Sequence, residues 1–458
     1  MLTHAMEPAE ASDAFDFAAL RAHEFARLDT AGIAYLDYAA SALYGASQAR
    51  AQGERLAHGI FGNPHSEHLA SRNSAAAQAA ARASTLAFFD ADPDLYEVCF
   101  TANATAALKL VAESYPFSAR HGLILSADNH NSVNGMREFA RRAQAPIGVL
   151  PLDAQLRLDR GSENLRASVD QQGGGLFAFP QQSNFSGVLH DLSLVEEAQA
   201  LGCDVLLDAA AAGPCGALSL REHSADFVVC SFYKLFGLPT GVGALIAKKS
   251  ALGRLRRPWF SGGTVEFVSV AHERHAFRPG HEGFEDGTPN FLDLAAIESG
   301  FAFLARMPRS CLRAHLQSHV RHFLGAAATL RHRSGAPLVR LYGPLDMEQR
   351  GGIVAFNVLQ NDGSVLPYEH VERLAREHGV AIRGGCFCNP GAAEQAFGFD
   401  ALGVDRCFDK LEGNFSMEAF RRCTERTATV GALRLSVGAP TTHEDIERAV
   451  ALIAACGE

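Results

Sequence analysis

Short apolar runs recur along the first and larger part of the chain, each bounded by polar or glycine-rich residues. Runs of about four to eight such residues read as buried strands. Residues 97–100, 122–126, 176–179, 204–207, 227–230 and 244–247 are of this kind. Between them, helical periodicity marks 71–89, 105–113, 133–143 and 194–201, the first of these alanine-rich. An amphipathic helix is expected over 15–28 and an extended segment over 34–37. Strands alternating with helices predict an α/β fold, with a mostly parallel sheet covered on both faces. After about residue 305 the pattern changes to a long helix at 312–330 and a longer strand at 351–359. A helix at 368–377, strands at 380–383 and 432–437 and a last helix at 443–454 follow. This predicts a smaller α+β domain. The expected division is a lead-in over 1–30, a large domain over 31–305 and a small domain over 306–458. The charged stretch 405–427 is expected to be a surface insertion with some helix.

Composition narrows the class. The 458 residues are 47% hydrophobic and 20% charged, an ordinary soluble balance with room for two or three domains. A net charge of -10 argues against a nucleic-acid partner, which calls for a basic face. No apolar run approaches the roughly 18 residues of a membrane span. Residues 1–16 carry acids and no basic, then apolar, pattern, so no secretory signal is expected. The ten cysteines are scattered, and are expected to be reduced thiols of a cytoplasmic protein. Cys386 and Cys388 form the one close pair; their spacing does not fit a zinc ribbon, and no metal site is expected.

Polar residues collect at the predicted carboxyl ends of the strands, where open parallel sheets gather ligands. The stretch 101–105 joins a strand to a helix and suits either a phosphate or an ordinary N-cap. His130 follows the next strand and could stack on a flat ligand or sit at the surface. Ser183 and Asn184 follow another, as a ligand contact or a simple turn. Asp208 ends an apolar strand and is followed by three alanines, company in which a carboxylate needs a cationic partner. Lys234 closes the series between hydroxyls and aromatics; burial there would make it a nucleophile, and a snorkelling strand-end lysine is the alternative. Phosphate cradle, stacking ring, buried anion and reactive amine together match what pyridoxal phosphate requires.

The segments YLDYAA (35–40), GNPHS (62–66), FTANATAALKLVAE (100–113), QSNFSG (182–187), SFYKLFGLPTGVG (231–243), FEDGT (284–288) and RGGCFCNPG (383–391) carry a resemblance. The chain resembles fold-type I, class V aminotransferase-like enzymes, and among them cysteine desulfurases. The likeness is strongest to the desulfurase domain of molybdenum cofactor sulfurases. It implies a fold-type I pyridoxal phosphate enzyme with a seven-stranded sheet. Lys234 is then the cofactor-bearing lysine, Asp208 the partner of the pyridine nitrogen, and His130 the stacking ring. The resemblance further assigns Ala104, Thr105, Ser231 and Tyr233 to the phosphate, and Asn184 to the ring oxygen or the substrate. Thr264 would reach a partner subunit's phosphate, which implies a homodimer. Arg434, with Arg383, would grip the substrate carboxylate. Cys388 matches the cysteine that receives sulfur.

The departures are Gly384 for a threonine, Ala211 for a glutamine, Asn103 for a phosphate-loop glycine and Cys386 for a histidine. The activity implied is conversion of L-cysteine to L-alanine, with a persulfide left on Cys388 and passed to an acceptor protein or small molecule. The runner-up is another class V reaction, such as a C–S lyase or aminotransferase. A non-catalytic binding scaffold is the third reading. None of the C-terminal MOSC domain of the full-length sulfurases is expected here.

Overall fold

A computed structural model describes residues 15–213, 218–399, 401–424 and 430–457. The larger sheet has seven strands: β1 (Tyr96–Thr101), β2 (Gly122–Ser126), β3 (Ile147–Leu150), β4 (Gly175–Pro180), β5 (Asp204–Asp208), β6 (Phe227–Ser231) and β7 (Gly243–Lys248). Their order across the sheet is β1-β7-β6-β5-β4-β2-β3. Only β7 runs against its neighbours, pairing antiparallel with β1 and β6. Every residue of β2, β4 and β6 is buried, as strands covered on both faces must be. Side chains alternate between two cores because strand periodicity is two. Phe177, Phe179, Val205, Leu207 and Val228 enter one core; Leu176, Ala178, Leu206, Phe227 and Val229 enter the other. The six co-directional strands therefore end along one edge, at Thr101, Ser126, Leu150, Pro180, Asp208 and Ser231.

The expected strands and most helices are found with small shifts in their ends. The helix expected at 133–143 is two pieces, Asn131–Asn134 and Arg137–Arg142, with Gly135 between them. The one expected at 15–28 is also two, Phe17–Glu24 and Arg27–Ala31, the second closed by Gly32 in the left-handed conformation. The periodicity did not reveal the helices Ala46–His58, Gly161–Gln172 and Phe291–Ala305, the strand β3, or the hairpin of Val265–Ser269 and Arg274–Phe277. Among the described residues no helix is long and apolar enough to cross a membrane.

The second core surrounds a four-stranded antiparallel sheet, in the order Val339–Tyr342, Ile353–Val358, Ala432–Ser436, Arg383–Gly385. The helices Arg309–Thr329, Tyr368–Glu377 and His443–Ala455 cover it through Leu316, Val320, Phe323, Val371, Ile446 and Leu452. Leu20, Phe25, Leu28, Ala34 and Leu36, near the chain's start, pack into this same core. The strand expected at 380–383 divides in two. Val380–Ala381 pairs in parallel with Ala34–Tyr35, and Arg383–Gly385 joins the four-stranded sheet.

The insertion forms two helices, Ala401–Lys410 and Met417–Cys423; residues 425–427 of the expected stretch, and 1–14 of the lead-in, lie outside the described residues. One expectation is corrected here. The cysteines are not all free thiols: Cys407 and Cys423 form a disulfide, their Cα atoms 5.8 Å apart. The two helices fold against each other and bring residues 16 apart in sequence into bridging range.

Candidate active site

The turn after β1 shows why the 101–105 stretch has its composition. The Asn103 side chain caps the helix Ala104–Ser114 by accepting from the Ala106 N–H at 3.0 Å. The Ala104 N–H donates to Ser231 Oγ at 2.8 Å, tying this helix start to the end of β6. Thr105 Oγ1 lies 2.8 Å from Ser132 Oγ. The Ser132 N–H in turn donates to His130 Nδ1 at 3.1 Å. Ser132 was not singled out by the sequence reading.

Beside these residues lies a cavity of about 350 Å³, lined by Ala104, Thr105, His130, Asn184, Asp208, Ser231, Tyr233 and Lys234 among others. Eight residues chosen from the sequence thus meet at one place, although they come from five strand ends. Lys234 stands in the short helix Phe232–Phe236, directly after β6. Its amine makes no hydrogen bond or ion pair with the described residues. Burial pushes its pKa below the usual lysine value; Asp208 opposes this and Arg434 adds to it. Asp208 takes the Ala210 N–H on Oδ1 at 2.9 Å, and its other oxygen has no partner among the described residues. Burial also lowers the pKa of His130, against the pull of Asp208. An unpaired amine, an unpaired carboxylate oxygen and a helix start with a hydroxyl are the donor set that a phosphorylated, protonatable ring needs.

A second set of residues joins the cysteine loop to this cavity. Asp128, fully buried, accepts from Ser183 Oγ at 2.8 Å and Asn389 Nδ2 at 2.6 Å on one oxygen. Its other oxygen meets His190 Nε2 at 2.8 Å. Asn389 Nδ2 also donates to Asn184 Oδ1 at 3.0 Å, and Asn184 Nδ2 donates to the Phe387 carbonyl at 2.6 Å. The Asn131 N–H donates to the Cys388 carbonyl at 2.6 Å. Phe387 and Cys388 are left-handed, with φ of 56° and 57°, a conformation costly for side chains with a Cβ. The tethers on both sides hold it. Gly391 lets the following helix, Pro390–Phe397, lie against the Ala127 carbonyl; a Cβ there would be 2.2 Å from that oxygen. The thiols of Cys386 and Cys388 remain exposed. Asp128, His190 and Asn389 were assigned no role from sequence. Asp128 stands two places before His130, but its partners are 62 and 261 residues away.

Arg434 and Arg383 are direct cross-strand neighbours. Like charges so placed repel, and Asp37 lies between them to offset this. It accepts from Arg383 Nη2 at 2.8 Å and from Arg434 Nη2 at 3.3 Å. Burial pushes Arg434 below its ordinary pKa, whereas the hydrogen bonds to Asp37 push Arg383 above its own. Cys388 is within electrostatic reach of both Lys234 and Arg434. Thr264 is the one expected residue that does not join the group. It is buried in a turn, where Oγ1 accepts from the Ser261 N–H at 3.0 Å, and it lines no cavity with Lys234.

Fold and site define an enzyme of the α/β class, built around a buried lysine amine just past a strand end. The chain belongs to the aminotransferase class-V family, whose sequence model matches residues 34–449. It is 36% identical over 459 residues to molybdenum cofactor sulfurase of Solanum lycopersicum, covering 93% of this chain and 55% of that one. With the Homo sapiens protein of the same name it shares 34% over 455 residues, covering 93% of this chain and 50% of that one. The chain thus spans about half the length of these relatives. Its fold matches an apo cysteine desulfurase of Thermococcus onnurineus NA1, with a TM-score of 0.79, 22% identity and coverage of 96% and 97%. A cysteine desulfurase of Escherichia coli matches with a TM-score of 0.76, 22% identity and coverage of 96% and 98%.

Proposed function

We propose that the chain is a pyridoxal phosphate-dependent cysteine desulfurase that loads sulfur onto Cys388 and passes it on, in the manner of a molybdenum cofactor sulfurase. The observation that carries the reading is the tether of the Cys388 loop to the cavity of Lys234 through Asn184 and Asn389. A transaminase or eliminating enzyme needs no acceptor thiol beside its amine. The cofactor would be held by Lys234, Asp208, His130 and the Ala104–Thr105–Ser231 turn, with Tyr233 at the rim. When bound, it supplies an electron sink for a substrate carbanion.

The chain's own residues then divide the work. Arg434, with Asp37 setting its orientation, offers a bidentate fork to the carboxylate of L-cysteine. Lys234, neutral at lower pH than an ordinary lysine because it is buried, takes and returns the proton at the substrate α-carbon. The Cys388 thiolate attacks the substrate sulfur; the carbon–sulfur bond breaks as the new sulfur–sulfur bond forms. L-Cysteine and the thiol together become L-alanine and a persulfide, so atoms balance. Exposure of Cys388 leaves the outer sulfur open to an acceptor, a protein or a small molecule. The reading includes a homodimer, in which Thr264 serves the other subunit, and a cytoplasmic location.

Product analysis with L-cysteine tests it. Alanine with stoichiometric sulfide under reductant is expected, and C388A should abolish both while keeping the cofactor's visible absorbance. Pyruvate as the main product, or unchanged turnover in C388A, would overturn the reading. Sedimentation tests the dimer, and a T264A heterodimer mixing experiment tests the shared site.

A further inference from the structure

Outside the lining of this cavity, the helix Arg309–Thr329 packs against the last helix, His443–Ala455. His443 and Glu447 are four residues apart and share one helix face. His322 projects from the facing helix between them. Its Nε2 lies 2.5 Å from Glu447 Oε1, and His443 Nε2 lies 3.4 Å from the same oxygen. The two imidazole rings are 4.2 Å apart, and one donor atom from each of the three residues lies within 4.8 Å of the others.

We infer that His322, His443 and Glu447 form a binding site for one divalent transition-metal ion of the zinc class, which clamps the two helices together. A tetrahedral centre with bonds of about 2.0–2.2 Å sets its donors roughly 3.3 Å apart. The separations of 2.5 and 3.4 Å bracket that value, so small side-chain rotations suffice. Two imidazoles and one carboxylate select zinc, cobalt or nickel over magnesium or calcium, which prefer all-oxygen shells. The side chains are 33%, 66% and 51% exposed, which leaves water to complete the shell. His443 reaches Glu447 through ordinary i,i+4 spacing, and His322 brings a second imidazole to the same oxygen from the facing helix.

The surroundings supply an independent observation. His315 and His319 continue the His322 stripe back along the helix, and His319 Nε2 is buried with no hydrogen-bond partner. Burial first, then the nearby His315, His443 and His322, push the pKa of His319 down to about 4. The seam therefore gathers four imidazoles and gives them one carboxylate. A cation at His322, His443 and Glu447 would take the lone pairs of two of these imidazoles.

The test uses the full chain, stripped with chelator, in a C311S/C386S/C388S/C456S background so that the exposed and half-buried free thiols of the described residues cannot supply the ligands. Zinc is titrated by calorimetry and cobalt by its visible absorption. The expected result is one ion per chain, a raised Tm on saturation, and a cobalt spectrum free of sulfur charge-transfer bands. H322A, H443A and E447A should each weaken binding at least tenfold. These side chains are partly exposed, so the variants fold, and their metal-free Tm values provide the check. Binding unchanged in all three variants, or no stoichiometric binding, overturns the site. Neither outcome bears on the desulfurase reading, because none of the three residues lines the cavity proposed for the cofactor and the assay does not depend on turnover.

Discussion

Asn389 is the side chain through which the cysteine loop is locked to the cavity, and its removal is the most informative single change. Asn389→Ala loses the bond to the Asp128 carboxylate at 2.6 Å and the one to Asn184 at 3.0 Å. It also loses the cap that accepts the Ala392 N–H at 3.2 Å. A bond to a charged group is worth about 1.5–3 kcal/mol and a neutral one about 0.5–1.5. A cap is worth about 1 kcal/mol. Water entering the vacated space recovers part of this, leaving about 3 kcal/mol against the seated loop. If seating of Cys388 limits sulfur transfer, alanine release should fall roughly 10²-fold, at about 1.4 kcal/mol per decade. Cofactor affinity should hold, because Asn389 does not line the cavity with Lys234. The assay is alanine release at saturating cysteine, paired with an absorbance titration of the cofactor and a urea unfolding curve. Alanine release within twofold of the native rate, together with a measured stability loss above about 2 kcal/mol, would refute the coupling. The loop could then be loosened without consequence for transfer.

Gly391→Ala should act in the same direction by sterics, since its Cβ would meet the Ala127 carbonyl at 2.2 Å; a lower Tm and slower alanine release with unchanged cofactor binding are expected. Asp37→Asn leaves two guanidiniums facing each other without their anion. It should cost about 3 kcal/mol and raise KM for cysteine more than it lowers kcat, as steady-state kinetics will report. His319 has a folded-state pKa near 4, below the ordinary 6.5. The unfolded chain therefore binds the extra proton first, and stability should fall as pH drops from about 6.5 to about 4. His319→Leu should flatten that part of a Tm-against-pH curve. Lys234→Ala should abolish turnover while the protein still binds inorganic phosphate at the Ala104–Thr105–Ser231 turn, measured by calorimetry.

What could be read in advance divides along physical lines. The strands β2, β4, β5 and β6 were legible because burial on both faces makes them uninterrupted apolar runs. The helix Phe291–Ala305 was not, because it is apolar on most sides and carries little 3.6-residue alternation. β3 is a four-residue edge strand with Val149 turned to solvent, too short to separate from a loop. At the site, Lys234, Asp208, His130 and Thr105 stood out because each ends a strand or lies within four residues of a strand's end. Asp128, His190 and Asn389 did not, since their meeting depends on how the cysteine loop docks. Thr264 is a different case: its assigned role needs a second chain. The Cys407–Cys423 bridge depended on how two short helices fold back, which no spacing rule specifies.

The placement of residues 20–36 bears on how the protein is made. Leu20, Phe25, Leu28 and Leu36 complete a core whose other half is supplied by the helix Tyr368–Glu377 and the helix His443–Ala455. Ala34–Tyr35 finds its strand partner only at Val380–Ala381. At about 5–20 residues per second, the ribosome needs roughly 17–70 seconds to cover that separation. All seven strands of the larger sheet emerge within that interval and can close around their own two cores. The apolar segment 20–36 meanwhile waits unpaired, a natural stretch for a chaperone to hold, and it takes its place after the larger sheet although it is made before it.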